Sequence, residues 1–227
     1  MCGRFVYYGQ PGALLEEFDV AGDAPSFGPD YNVAPGSLTP VIVRQGSNQV
    51  ALSKWGLVPS WSESPRSGYK MINARAEGIE AKPAFRKPIR SGRCLVLANG
   101  FYEWQRAAPG AGSAKLPYFI HLRDRQLFAF AGICDVWRDA EGHEMRSHAI
   151  ITTGPNELMA PIHNRMPVIL PREEQNTWLD PSTGLDRVLA MLRPYPAAEM
   201  AAYPVSNGVN SSAAHGPELI APLAAGA

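Results

Sequence analysis

Glycine and proline interrupt this chain from end to end, 21 of each spread over 227 residues. Proline inside a helix removes a backbone donor and clashes with the preceding turn, and glycine loses the most backbone freedom on ordering. Interruption on this scale argues against a helical bundle and predicts many turns joining short strands. The Gly-Pro clusters do not gather into a linker, and no repeat period, long charge run or polar spacer divides the chain. One domain is therefore expected, with ample apolar material for a core.

Within that frame the clearest strand signal is the unbroken apolar run Cys94-Leu95-Val96-Leu97-Ala98. Further strands are predicted at 41–44, 50–57, 118–122, 127–132 and 148–153, with a last strand and turn in 203–210. Short helices are predicted over 12–20, where Leu14, Leu15 and Phe18 share a face, from 154 to about 161, and over 171–179 and 185–192. The Gly-, Ala-, Pro- and Ser-rich stretch 107–114 reads as a flexible hairpin tip, and 213–227 as a mobile tail after a domain spanning 1–212.

Charge excludes some functions. The 21 basic and 21 acidic residues cancel, so no global field advertises a polyanionic partner, although separate segments can still converge into a cationic track. There is no basic leader followed by an apolar run, and no apolar stretch long enough to cross a bilayer. A soluble, cytoplasmic protein with no membrane partner is expected. Cys2, Cys94 and Cys134 are odd in number and widely spaced, which fits reduced thiols better than disulfides or a zinc site. With the five histidines dispersed and no Gly-rich phosphate loop before a helix, no metal or cofactor is expected.

A few positions carry chemistry. Removal of Met1 would leave Cys2 with a free α-amine beside its thiol, a 1,2-aminothiol that condenses with an aldehyde and closes a thiazolidine ring. Alone, a second-position cysteine is commonplace. Asn32, in Tyr31-Asn32-Val33-Ala34-Pro35-Gly36, can cap a turn or bind a phosphate. Trp55 reads as core, whereas Trp61, set among Ser and Pro, is either a platform for a nucleobase or a ring packed under its loop. Asn73, Arg75 and Glu77 share one face if the backbone is extended. Lys82, Arg86, Lys87, Arg90 and Arg93 surround Phe85 and either follow a phosphate backbone or form a solvated surface. Glu103 stands between Tyr102 and Trp104 after a core strand, where desolvation can raise its pKa and suit it to proton transfer; a salt bridge is the plainer alternative. His163 and Arg165 lie between the stiffening Pro161 and Pro167, and a lone His needs a partner before it counts as catalytic.

Taken in order, Met1-Cys2-Gly3-Arg4-Phe5, the Tyr31–Gly36 motif, Asn73-Ala74-Arg75-Ala76-Glu77, Gly100-Phe101-Tyr102-Glu103-Trp104, His163-Asn164-Arg165-Met166-Pro167 and Pro204-Val205-Ser206 closely resemble the SOS-response-associated peptidase family, over residues 1 to about 210. That resemblance implies a single α+β domain with a curved, barrel-like mixed β core and short peripheral helices. It also implies a monomeric sensor of abasic sites in single-stranded DNA that shields them by a DNA-protein crosslink. Carried onto this chain, Cys2 is the nucleophile and Asn73, Glu103 and His163 are its partners. Arg4, Asn32, Arg75 and Arg165 would hold phosphates, and Trp61 would contact bases; apart from the resemblance, Arg86 can join Arg4, Arg75 and Arg165 in a cationic DNA-binding track. Some relatives carry a tryptophan doublet where Ser62 follows Trp61 here. Weak lyase activity and crosslink reversal are further implications, Met1 leaves either by ordinary methionine processing or by self-cleavage, and nearby arginines are expected to raise the thiolate fraction of Cys2. Two rival readings use the same residues: an N-terminal-nucleophile cysteine hydrolase acting on an amide, and a non-catalytic module that reads modified DNA.

Overall fold

The computed structural model describes residues 2–9, 15–23, 25–105 and 115–223. The apolar run becomes β6 (Arg93–Ala98), every residue of which is buried. It needs apolar side chains on both faces because it is a stave of a closed barrel. β3 (Leu38–Gln45) and β4 (Ser47–Trp55) form an antiparallel hairpin; β3 pairs with β6, β6 with β9 (Phe128–Arg138), and β9 with β10 (Glu144–Thr153). β10 then runs parallel to β4, which closes the ring. Outside β6 lies the helix Arg172–Leu179, where Trp178 Nε1 donates to Cys94 O at 2.9 Å.

A second, antiparallel sheet has the order β13 (Met200–Pro204), β8 (Leu116–Leu122), β7 (Gly100–Gln105), β1 (Arg4–Tyr7), β2 (Asp30–Val33). It packs on the barrel through an aromatic seam. Phe5 stands 5.1 Å from Trp55 and 6.0 Å from Phe130 between ring centroids, and Phe101 stands 5.9 Å from Phe130. Offset and edge-on pairs of this kind add to the burial of the rings themselves. The seam positions two candidate site residues, because β1 follows Cys2 and β7 carries Glu103. Short strands β5 (Asn73–Arg75), β11 (Met166–Pro167) and β12 (Ile169–Leu170) add to the barrel at β10 and β9.

Gly100 opens β7 where the backbone of β8 comes close. A Cβ there would collide with the Phe119 ring and lie 2.9 Å from Ile120 O. Gly100→Ala is therefore expected to destabilise the fold by about 1–3 kcal/mol in urea melts, the range for overpacking. A change within 0.5 kcal/mol would mean that β7 and β8 separate easily.

Several expectations need correction. Residues 154–161 form a turn rather than a helix: Asn156 Oδ1 accepts from Met159 N at 2.9 Å, and Pro155 and Pro161 bracket the segment. The strands expected at 127–132 and 148–153 run on as a long hairpin to Arg138 and back from Glu144, because Asp135, Arg138 and Arg146 break the apolar pattern without ending the pairing. Of the helix expected at 12–20, residues 15–17 are helical and 10–14 lie outside the described residues, as does the hairpin tip at 107–114. The segment from 213 is no loose tail as far as 223. Leu219 is buried, Val205 bridges to Pro222, and His215 Nδ1 lies 2.7 Å from Asp30 Oδ1. Among the described residues, no helix is long and apolar enough to cross a membrane.

Candidate active site

Segments remote in sequence meet at the end of the seam. Cys2 precedes β1 and is fully buried. β1 pairs antiparallel with β7, Arg4 opposite Tyr102, so continuing the register sets Glu103 beside Gly3. β5 lies parallel to β10 with Asn73 opposite Ile150. From there Asn73 Nδ2 donates to the Cys2 carbonyl at 2.8 Å. Asn73 Oδ1 is buried and has no hydrogen-bond partner among the described residues.

His163 supplies the partner that a catalytic reading demands. Its Nε2 lies 3.9 Å from Glu103 Oε2. Nδ1 lies 3.0 Å from the Arg165 amide and 3.2 Å from the Arg165 carbonyl, so its role follows the tautomer; with Nδ1 accepting from the amide, a neutral ring carries its proton on Nε2, facing the carboxylate. Glu103 itself is only 2% exposed, and burial raises its pKa. It can therefore hold a proton closer to neutrality than an ordinary carboxyl group.

The same burial overturns the expectation of an arginine-activated thiolate. Desolvation, reinforced by the charge of Glu103, pushes the Cys2 thiol well above the usual range. Arg4 is turned elsewhere, its Nη1 donating to Asn32 Oδ1 at 2.7 Å and Val209 O at 2.8 Å.

The residues expected on phosphates divide. Arg75 and Arg86 are exposed and make no side-chain hydrogen bond or ion pair with the described residues, and Trp61 is 66% exposed. Asn32 is fully buried, and its Nδ2 bonds to the carbonyls of Val209, Ser211 and Ala214. It ties the 209–214 loop and Arg4 together, and a direct phosphate contact is excluded in this conformation. Arg165 is bidentate to Glu77, at 2.6 and 2.9 Å, and also donates to Thr152 O. A phosphate would reach that guanidinium edge only by displacing Glu77. One exposed aromatic was missed: Tyr69, 69% exposed, with Lys54 Nζ 5.8 Å from its ring centre. Its setting in the polar stretch 62–70 was the same signal that singled out Trp61.

For a metal, the described residues offer one grouping of ligand atoms, Asp139, Glu141 and His143. It sits at the β9–β10 turn, the far end of β10 from Asn73, and His143 is already engaged with Asp139 at 2.9 Å.

Known proteins resemble this chain in sequence and fold. The model of the family described as SOS response associated peptidase (SRAP) matches residues 1–212. The chain is 45% identical over 224 residues to the abasic site processing protein YoqW of Bacillus subtilis, covering 97% of this chain and 99% of that protein. It is 34% identical to the abasic site processing protein HMCES of Gallus gallus, covering 87% of this chain and 67% of that one. A crystal structure of a protein from Bacteroides thetaiotaomicron superposes with a TM-score of 0.88 at 30% identity, over 98% of this chain and all of the other.

Proposed function

Because the chain belongs to the SOS response associated peptidase family, we propose that it captures abasic sites in single-stranded DNA as a covalent crosslink on Cys2, after removal of Met1. The observation that carries this reading is the convergence of Cys2, Asn73, Glu103 and His163 from four separate segments. An abasic deoxyribose equilibrates with an open-chain aldehyde, an electrophile that intact nucleotides lack. The Cys2 α-amine adds to C1′ and gives a carbinolamine. Its hydroxyl leaves as water with a proton from the Glu103–His163 pair, and an imine forms.

The thiol then adds across the imine carbon. Its proton passes to nitrogen, so aldehyde and aminothiol together yield one thiazolidine and one water. An amine-first order agrees with a thiol held protonated by burial. It also weakens the cysteine hydrolase reading, which needs a thiolate as its first nucleophile. Ring closure within one residue draws on effective molarities of about 10⁵–10⁸ M, which favours the ring over the open imine. Any imine that escapes closure can undergo β-elimination, giving weak lyase activity, and Glu103 can protonate the adduct during slow reversal.

Asn73 is assigned a positioning role. Its Nδ2 fixes the Cys2 carbonyl at 2.8 Å, and its buried Oδ1 is a ready acceptor for the α-amine. Asn73→Ala is expected to slow crosslinking about tenfold, equivalent to one lost hydrogen bond of ~1.4 kcal/mol. Saturating DNA would not restore the rate. Recovery at high DNA concentration would assign Asn73 to binding instead.

The defining experiment is intact-protein mass spectrometry after incubation with a single-stranded oligonucleotide bearing one abasic site. The expected species is the protein without Met1, plus the oligonucleotide, minus one water. A correctly processed protein that yields no adduct would refute the crosslinking reading.

A further inference from the structure

A second cavity, of about 370 Å³, opens at the other end of the barrel and has no part in the chemistry above. Its wall carries Arg44, Lys87, Arg93, Arg138 and Arg146 against one carboxylate, Asp135. For a chain with equal numbers of acidic and basic residues this is a strong local imbalance. The carboxylate is already committed: Asp135 accepts from Ser60 N at 2.7 Å and from Val136 N at 2.9 Å. Arg44 bonds to Asn48 and Asn176, neutral groups that hold the guanidinium without cancelling its charge. Arg93 is buried and spends its donors on carbonyls, including Trp178 O at 2.6 Å. Among the described residues, Arg138 alone of these cations has an ion pair with an acidic side chain, the exposed Glu144.

The cavity is also linked to the DNA-facing side of the molecule. Ser60 lines it, and the next residue is the exposed Trp61. The loop is anchored to β9 at two points, Ser60 N on Asp135 and Trp137 Nε1 on Ser62 O at 2.6 Å. Arg146 at the cavity and Thr152 at the Arg165 end are six positions apart on β10, a separation of roughly 20 Å for an extended strand. An extended single strand, its phosphates about twice as far apart as the ~3.4 Å rise of a duplex strand, covers that distance in about three nucleotides.

We propose that this cavity is a second strand site, which takes backbone phosphates of the DNA several nucleotides from the lesion held at Cys2; the assignment rests on the abasic-site reading. The test pairs an Arg138→Gln/Arg146→Gln double variant with two abasic oligonucleotides, one with about two flanking nucleotides on each side and one with about ten. Crosslinking of the short strand is expected to match wild type within twofold. Affinity for an undamaged strand of the longer length is expected to fall about tenfold, with a log-log salt slope shallower by about 1.4, the loss of two contacts to a single strand. Unchanged long-strand affinity and slope would overturn the proposal. So would an equal loss of crosslinking on both lengths, which would put the effect at Cys2. Displacement of the long strand by millimolar ATP in the wild type, with no such effect in the variant, would reassign the cavity to free nucleotides. If wild type crosslinks neither strand, the Cys2 reading fails, while binding of the undamaged strand still decides the cavity.

Discussion

A Cys2→Ala variant is expected to form no stable adduct with abasic single-stranded DNA, and to regain one only when borohydride is present. The two halves of that result test separate steps. Alanine keeps the α-amine once Met1 is removed, so an imine can still form and hydride can trap it. The ring cannot form, and with it goes the intramolecular advantage of about 10⁵–10⁸ M that makes closure dominate over hydrolysis. The substitution removes one buried sulfur atom from a side chain with no solvent exposure. The fold should therefore survive, with a penalty of about 1 kcal/mol at most for the small void. A stable adduct from Cys2→Ala without reductant would move the reaction to another nucleophile. An adduct absent even with borohydride, from a folded and processed variant, would show that the amine is not the first nucleophile.

How much of this could be seen in the sequence depended on how local the cause was. β6 was legible because a stave covered on both sides must be apolar throughout, and Cys94 to Ala98 are. Trp55 and Trp61 were separable because one ends a strand pattern and the other lies among Ser and Pro; they are 1% and 66% exposed. Asn32 was misjudged because its partners are carbonyls at Val209, Ser211 and Ala214, at the opposite end of the chain. The Arg165–Glu77 pair, 88 positions apart, was hidden for the same reason. Nearby arginines were expected to activate the Cys2 thiol, yet in the fold the guanidinium of Arg4 is drawn to Asn32 Oδ1 and Val209 O. The cationic cavity was visible only in part: Lys87 and Arg93 belong to the basic segment that the sequence offered to a phosphate backbone, whereas Arg44, Arg138 and Arg146 arrive singly from β3, β9 and β10.

Glu103→Gln provides the second large effect, and it separates catalysis from stability by sign. Glutamine keeps the shape and the acceptor oxygen but cannot exchange a proton in the accessible pH range. Crosslinking at neutral pH is expected to slow about 10²–10³-fold, within the range for general acid–base catalysis, and the carboxyl-dependent limb of the pH–rate profile should vanish. A slowing of less than about threefold would reduce Glu103 to a structural neighbour of His163. Stability should move the other way. Burial raises the folded-state pKa of Glu103 above its unfolded value, so its contribution is fully present below the unfolded value and is lost as pH rises through the folded one. The variant has no such loss. Its melting temperature relative to wild type is therefore expected to climb as pH rises from mildly acidic to alkaline. A difference independent of pH would mean that Glu103 titrates alike in the folded and unfolded chains, and the proton store proposed for imine formation would go with it. Together, a slower and more alkali-resistant protein is what a buried catalytic carboxyl predicts, because the desolvation that suits it to donate a proton also destabilises its ionised form.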